Sequence, residues 1–139
     1  MDKAPEQLKV VGCEVVDNGI HKSLRYTYEY GQSRFIQDIT LGADDRKLTF
    51  HMDVEWQETF KMLRALYPVD VRTDHATCNI QFGNIQRPTH QNTSWDYAKI
   101  EICAHKWIDL SENGFGVALI NNCKYGHSVK NGVIGLTLI

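Results

Sequence analysis

Apolar and polar residues alternate with a period of two over much of this 139-residue chain. The longest unbroken run extends from Leu48 to Trp56, where every second residue is apolar. Because successive side chains of a β-strand point to opposite faces, this pattern predicts a strand with one buried face. The residues expected to face inward are Leu48, Phe50, Met52, Val54 and Trp56, and those expected to face outward are Thr49, His51, Asp53 and Glu55.

The same alternation predicts two earlier strands, Leu24 to Tyr30 and Phe35 to Leu41, which would form an antiparallel meander with the first. The turn residues Gly31-Gln32-Ser33 separate them. Further strands are predicted at 76–82 and 98–104, and the apolar run at 117–120 suits a central strand. Asn131-Gly132 is typical of a two-residue hairpin turn.

The segment from Glu55 to Tyr67 leaves two alternatives. Its apolar residues Trp56, Phe60, Leu63 and Tyr67 occur at helical spacing, which is typical of an amphipathic helix. The all-β surroundings favour instead a strand that is buried on both faces and ends at Pro68. We expect the strand.

Composition and charge argue against several classes of partner. The net charge of −2 gives no basic field that would attract nucleic acid or anionic lipid. No apolar run approaches the roughly 20 residues that a membrane span needs, and residues 1–7 lack the apolar core of a signal peptide. The four cysteines have no metal-binding spacing, so we expect reduced core residues in a cytoplasmic protein: Cys13, Cys78, Cys103 and Cys123.

The segment from Arg87 to Asp96, called here the Arg87 loop, is the best candidate for a binding site. Trp95 would stack on a sugar face, while the polar side chains would hydrogen-bond sugar hydroxyls or contact another domain. A structural alternative is that these polar groups satisfy the loop's own backbone and that Trp95 packs as an anchor. The candidate residues are Arg87, His90, Asn92, Trp95 and Asp96. Further on, His105, Trp107 and Asp109 would either flank this loop or, as we expect, form a structural corner.

No acidic pair is marked out for general acid–base catalysis. Two carboxyl groups that share such work lie close together, and one of them usually has a raised pKa. Asp53 and Glu55 fall on the outward face of a predicted strand. His51 and Asp53 would point the same way, as a metal-binding pair must, but a solvated surface is favoured. We therefore predict neither a catalytic residue nor a metal site in this chain.

An ordered series of short segments nevertheless resembles one enzyme family. From about Tyr26 to the C-terminus, the chain is similar to the C-terminal β domain of glycoside hydrolase family 38, the retaining α-mannosidases, and above all to their cytoplasmic, bacterial-type members. The segments that carry this resemblance include Tyr28-Glu29-Tyr30-Gly31, Val54-Glu55-Trp56-Gln57-Glu58, Ile80-Gln81-Phe82-Gly83, the Arg87 loop and Lys124-Tyr125-Gly126.

The resemblance implies an all-β fold, an antiparallel β-sandwich of the supersandwich and galactose mutarotase-like kind. Residues 1–139 would be a single sandwich domain from the C-terminal region of a larger α-mannosidase. The end of the chain inside an apolar strand pattern, at 135–139, favours such a fragment. Missing strands beyond Ile139 would leave an open sheet edge, which predicts a homodimer or some other cover for that edge.

The resemblance also implies that the catalytic residues lie in a different domain of the parent enzyme. The parent enzyme would release terminal α-linked mannose from glycans with retained configuration. Its nucleophilic aspartate and its zinc ligands would belong to a catalytic α/β domain on the same polypeptide. This chain would hold no cofactor, would be inactive alone, and would support the catalytic domain or border its active site through the Arg87 loop. The alternatives are a stand-alone lectin-type carbohydrate-binding module and a purely structural interaction domain.

Overall fold

The structure is a computed structural model that describes residues 5–17 and 19–139. Apart from one short helix, the secondary structure of these described residues consists of antiparallel β-strands, as predicted. The chain divides into two compact units, Met1–Lys61 and Met62–Ile139. Within the described residues, no helix combines the length and apolar character that a bilayer crossing requires.

The first unit is a four-stranded meander in which each strand pairs with the next along the chain. Phe35 is fully buried in this sheet between its cross-strand partners Tyr28 and Val54, and Trp56 packs edge-on against it. On the opposite face, the Arg25 guanidinium donates two hydrogen bonds of 2.8 and 2.7 Å to the Asp38 carboxylate. The strands are β1 (Lys9–Asp17), β2 (Lys22–Tyr30), β3 (Ser33–Leu41) and β4 (Leu48–Glu55).

The second unit is a sandwich of two four-stranded sheets, ordered β10-β9-β6-β7 and β5-β12-β11-β8. Its core lies between them and is formed by residues of both sheets, including Cys78 and Ile108 from one and Val129 and Ile134 from the other. The elements are β5 (Arg64–Pro68), β6 (His75–Ile80), β7 (Gly83–Pro88), α1 (Ser94–Ala98), β8 (Ile102–Cys103), β9 (Trp107–Glu112), β10 (Phe115–Ile120), β11 (Gly126–Lys130) and β12 (Val133–Thr137).

Several local predictions are confirmed. The predicted strands of the meander correspond to β2, β3 and β4. The Asn131-Gly132 hairpin connects β11 and β12, and both turn residues have the positive φ angles, 52° and 71°, that a type I′ turn requires. The strand predicted to end at Pro68 does end there.

The alternatives for residues 55–67 are both wrong over most of that range. Trp56–Leu63 form neither helix nor strand, and β5 begins only at Arg64. The apolar residues at helical spacing separate instead: Trp56 packs in the first unit, Phe60 is fully exposed at a positive φ of 55°, and Leu63 is buried. β5 is not buried on both faces either, because it is an edge strand with Leu66 half exposed.

Three other strand predictions fail at identifiable places. Phe82 is not on the core face of β6, because it lies at a positive φ of 60° in the turn between β6 and β7. Residues 98–104 do not form a strand, since α1 occupies Ser94–Ala98 and β8 contains only Ile102 and Cys103. The apolar run at 117–120 lies in β10, which is an edge strand and not a central one.

Burial also differs from expectation. Leu48 and Phe50 share a sheet face with Val54, but both are exposed. The four cysteines, all among the described residues, are free, yet only Cys78 is a core residue; Cys13, Cys103 and Cys123 are exposed. The last strand, β12, is paired on both sides by β5 and β11, so it presents no open sheet edge.

Candidate functional site

The Arg87 loop leaves the sandwich from a fixed point. Arg87 is the penultimate residue of β7 and pairs with Ala76 of β6. Thr89 then ties the chain to the segment that precedes β6, because its N–H donates to the Asp74 carbonyl at 3.0 Å and its hydroxyl donates to the Thr73 carbonyl at 2.6 Å. The first residues of the loop are therefore held in register with the sheet.

Thr93 fixes the other end of the loop as the N-cap of α1. Its hydroxyl oxygen accepts from the Asp96 backbone N–H at 3.1 Å, and the hydroxyl donates to Asp96 Oδ2 at 2.7 Å. The Thr93 carbonyl accepts the first helical hydrogen bond, from Tyr97 N–H, at 2.9 Å. The Thr93 hydroxyl thus caps the helix and, by donating to Asp96 Oδ2, also orients the Asp96 carboxylate.

Arg87 points between the two sheets of the sandwich. It shares the face of β6 that carries the fully buried Ala76 and Cys78. Burial raises the pKa of the Cys78 thiol, and the nearby Arg87 guanidinium offsets part of this effect. The Nε of Arg87 is buried and has no hydrogen-bond acceptor among the described residues.

Asp96 is surrounded by nitrogen-bearing side chains. Its carboxylate is only 12% exposed, His90 Nδ1 lies 3.7 Å from Oδ2, and Lys99 Nζ lies 3.7 Å from Oδ1. Lys130 Nζ donates to the Asp96 backbone carbonyl at 3.4 Å. The Thr93 hydroxyl lowers the pKa of Asp96, and His90 and Lys99 lower it further against the effect of burial. Asp96 is consequently ionised at neutral pH.

These side chains line one surface cleft, which we call the Arg87 cleft. It occupies about 390 Å³, counting space open to solvent, at the side of the sandwich where β7, α1 and β11 come together. Asp96 is the only acidic residue among the described residues that line it, against three permanently charged cations. The residues that define the cleft are Arg87, His90, Asp96, Lys99, Ile102 and Lys130.

Of the five candidate residues, the structure brings Arg87, His90 and Asp96 to this cleft, whereas Asn92 and Trp95 do not line it. Trp95 is 80% exposed, so the alternative in which it packs as an anchor is wrong. The Asn92 backbone N–H makes a long contact of 3.5 Å with His90 Nδ1. An exposed indole beside this cleft is suited to contact with a sugar or with another polypeptide.

Lys99 and Lys130 were not among the predicted residues of the site. Lys99 follows α1 at helical spacing from Asp96, and that signal is visible only when the helix itself is recognised. Lys130 belongs to β11, and only the pairing of the strands brings it to the cleft.

The carboxyl groups of the described residues can be compared with the pair that a retaining glycosidase needs. His51 Nε2 and Asp53 Oδ1 lie 3.5 Å apart on β4, but both side chains are largely exposed. The pKa is lowered at Asp38 by the Arg25 guanidinium, at Asp74 by His75 and at Asp96 by Thr93. A general acid requires the opposite shift.

The described residues also do not fit a zinc site. Residues 5–17 and 19–139 contain no group of three or more His, Cys, Asp or Glu side chains that could hold a metal ion. A structural or catalytic zinc needs at least three such protein ligands. We therefore derive no step through a metal on this chain.

The second predicted segment, at His105, Trp107 and Asp109, does not line the Arg87 cleft. His105 packs edge-on against Tyr125 with ring centres 5.4 Å apart. Next to it, Asn121 Nδ2 donates to the His105 carbonyl at 3.1 Å and lies 3.3 Å from Nε2 of His127. His127 is fully buried, and sequence reasoning did not single it out.

Sequence comparison identifies the class of protein to which this β structure belongs. The profile of the glycosyl hydrolases family 38 C-terminal domain matches residues 2–139. The chain therefore belongs to the C-terminal domain family of the family 38 glycosyl hydrolases, as the resemblance implied.

The individual relatives are α-mannosidases. The chain is 50% identical over 107 residues to Alpha-mannosidase 2C1 of Homo sapiens, which covers 77% of this chain and 10% of the relative. It is 41% identical over 133 residues to Alpha-mannosidase G of Dictyostelium discoideum, and this match covers 91% of this chain and 12% of the relative. It is 46% identical over 84 residues to Alpha-mannosidase of Saccharomyces cerevisiae, and this match covers 60% of this chain and 8% of the relative. The chain thus spans about a tenth of the length of these relatives.

Proposed function

We propose that this chain is a non-catalytic β segment of a retaining α-mannosidase that hydrolyses terminal α-linked mannose in glycans. The family match over residues 2–139, to a domain of enzymes named α-mannosidases, carries the proposal. The described residues add support, since they provide no cluster of metal ligands and their resolved carboxyl pKa shifts are all downward. The nucleophile and the zinc site belong to a catalytic α/β domain of the same parent polypeptide.

The role of the segment is to support that catalytic domain. A sandwich with a closed apolar core provides a rigid surface, and its loops are available for contacts with a neighbouring domain. The Arg87 loop is the contact that we propose, because it is fixed at both ends and presents Trp95 to solvent. Through this loop the segment borders the active site.

We also place the parent enzyme in the cytoplasm. The thiols of Cys13, Cys103 and Cys123 are free and exposed, which suits a reducing compartment. Self-association of the segment into a homodimer is a further proposal, which size-exclusion chromatography over a wide range of concentrations tests. A single monomer peak at every concentration contradicts it.

Co-expression tests the supporting role. The part of the parent polypeptide that precedes this segment is expressed alone and together with the segment, and hydrolysis of an aryl α-mannoside is measured. Activity is expected only when both parts are present. The variant Ile108→Asp, which places a charge in the sandwich core, should not restore activity, whereas Ile120→Asp at an exposed position should restore it. Full activity of the preceding part alone contradicts a supporting role.

One observation favours a second function, a lectin-type carbohydrate-binding module. Trp95 is exposed and directly precedes Asp96, a cleft residue, in the sequence, and an exposed indole near polar groups is typical of a sugar-stacking site. Calorimetric titration of the chain with methyl α-mannoside distinguishes the two functions. The supporting role predicts no saturable heat, while saturable binding that is lost in Trp95→Ala favours the binding module.

A further inference from the structure

The Arg87 side chain is only partly satisfied: it interacts with the Cys78 thiol, but its Nε atom has no hydrogen-bond partner among the described residues. The Nε atom is buried without an acceptor, and Arg87 forms no ion pair with any carboxylate of the described residues. A guanidinium always carries its charge and can only donate hydrogen bonds. Since buried polar groups in proteins are nearly always hydrogen-bonded, the guanidinium of Arg87 has donor capacity that the described residues leave unused.

The charges of the cleft indicate what kind of acceptor is missing. Lys99 and Lys130 bring two more permanent cations to the same cleft, while Asp96 supplies the one carboxylate. That carboxylate is already engaged by the Thr93 hydroxyl at 2.7 Å and shared between His90 and Lys99 at 3.7 Å. The positive charge of the cleft is therefore left in excess, although the whole chain has a net charge of −2.

The lining of the cleft combines apolar and charged side chains. Ile102 and Val129 line it together with the charged residues. Apolar walls around cations reduce the competition from water and strengthen the attraction for an anion. A compact group with several acceptor oxygens suits such a place better than a neutral sugar ring.

We propose that the Arg87 cleft binds an oxyanion, a phosphate or carboxylate group, which accepts hydrogen bonds from Arg87 and is further attracted by Lys99 and Lys130. Planar guanidinium donors match the geometry of both groups. The proposal stands without the mannosidase role and assigns a ligand class to the cleft whether or not the parent enzyme acts on mannose.

Titration of the complete 139-residue chain tests the proposal. Binding of inorganic phosphate, of mannose 6-phosphate, of acetate and of mannose is measured by calorimetry at constant ionic strength maintained with chloride. Saturable binding of phosphate or acetate is expected, and mannose alone should give none. Tighter binding of mannose 6-phosphate than of phosphate identifies a sugar phosphate as the ligand source, and equal binding identifies the free oxyanion.

Charge-neutralising variants locate the site. Arg87→Gln, Lys99→Gln and Lys130→Gln should each weaken phosphate binding, about tenfold for Arg87→Gln because a hydrogen bond to a charged group is lost. Lys106→Gln, an equal charge change at an exposed position of the same unit, should alter binding less than about twofold. Because Lys99 and Lys130 lie outside the core, their variants remain informative if Arg87→Gln fails to fold.

Two results overturn the proposal: no saturable binding of either oxyanion, or equal weakening by Lys106→Gln and the cleft variants. These outcomes are separate from a failure of the supporting role, which the co-expression assay measures without any added anion.

Discussion

Mild acid is expected to destabilise the second unit through His127. The imidazole is fully buried, with Nδ1 3.1 Å from the Tyr125 carbonyl and Nε2 3.3 Å from Nδ2 of Asn121. A neutral ring satisfies both contacts, since Nδ1–H donates to the carbonyl and Nε2 accepts from the amide. Burial lowers the pKa of His127 from its ordinary value of 6.5, and the contacts with Tyr125 and Glu101 offset only part of that effect.

The direction of the pH effect follows from the protonation states of His127 in the folded and the unfolded chain. Below pH 6.5 the unfolded chain binds a proton at His127 that the folded chain does not bind. The contribution of His127 to stability is therefore complete above this pH and is lost as the pH falls towards the lowered pKa of the folded state. A difference of one full proton sets the steepest possible slope, about 1.4 kcal/mol per pH unit. With a urea m-value of about 1–3 kcal/mol/M, the unfolding midpoint should fall with pH by at most about 0.5–1.4 M per pH unit.

Urea unfolding followed by tryptophan fluorescence, from about pH 7.5 to about pH 5, measures this slope. The variant His127→Gln replaces the imidazole by an amide that does not titrate and should flatten the slope. His51→Gln, which removes an exposed histidine, should leave it unchanged. The lowered carboxyl pKa values, from 3.8 at Asp38, Asp74 and Asp96, keep those groups out of this pH range. If His127→Gln retains the wild-type slope, the reasoning about burial of the neutral ring is refuted.

Three further perturbations test how the sandwich is held together. Ile108→Ala should lower the free energy of unfolding by about 2–5 kcal/mol, because it leaves a cavity between the sheets. Ile120→Ala, at an exposed position, should lower it by less than about 0.5 kcal/mol. Urea unfolding of both variants measures the difference. Gly132→Ala should lower the free energy of unfolding by about 1–3 kcal/mol, since φ is 71° and the new Cβ would lie 3.0 Å from the Val69 carbonyl oxygen. An unchanged melting temperature of this variant would contradict the prediction. Thr93→Ala should destabilise α1 locally by about 0.5–2 kcal/mol, measured as faster amide exchange at Tyr97, and unaltered exchange there shows that the cap is unimportant.

Strands β2, β3 and β4 of the first unit were predictable because their alternation is long and their turns carry recognisable residues, whereas β1 was not predicted. Leu24 to Tyr30 and Phe35 to Leu41 each contribute a regular series of side chains to both faces of the sheet. Asn131-Gly132 was equally clear, since few other dipeptides accept two positive φ angles in a row. In these segments the conformation that the local sequence favours is the conformation found in the folded structure.

The failures occur where alternation continues past the end of a strand. Phe82 continues the apolar series of β6, yet the chain turns there to form β7. At residues 94–98 the cap provided by Thr93 starts a helix within a region that alternation assigned to loop and strand. A short helix that is fixed by one hydroxyl leaves little trace in hydrophobic periodicity.

The site was only partly predictable for a different reason. Arg87, His90 and Asp96 are close in sequence, so their composition marked the segment. Lys130 reaches the same cleft from β11, and its position depends on strand pairing that no local pattern encodes. Likewise, the lack of an acceptor for Arg87 Nε can be recognised only in the folded structure, which shows where the Arg87 side chain points and which residues surround it.

The central claim is that this chain contributes structure and not chemistry to its parent enzyme. The most direct test is the rate of hydrolysis of an aryl α-mannoside by the purified chain, with zinc supplied. We predict no hydrolysis above the rate of the uncatalysed reaction at any protein concentration. A rate that rises in proportion to the concentration of the chain, and that disappears in the core variant Ile108→Asp, would contradict the account.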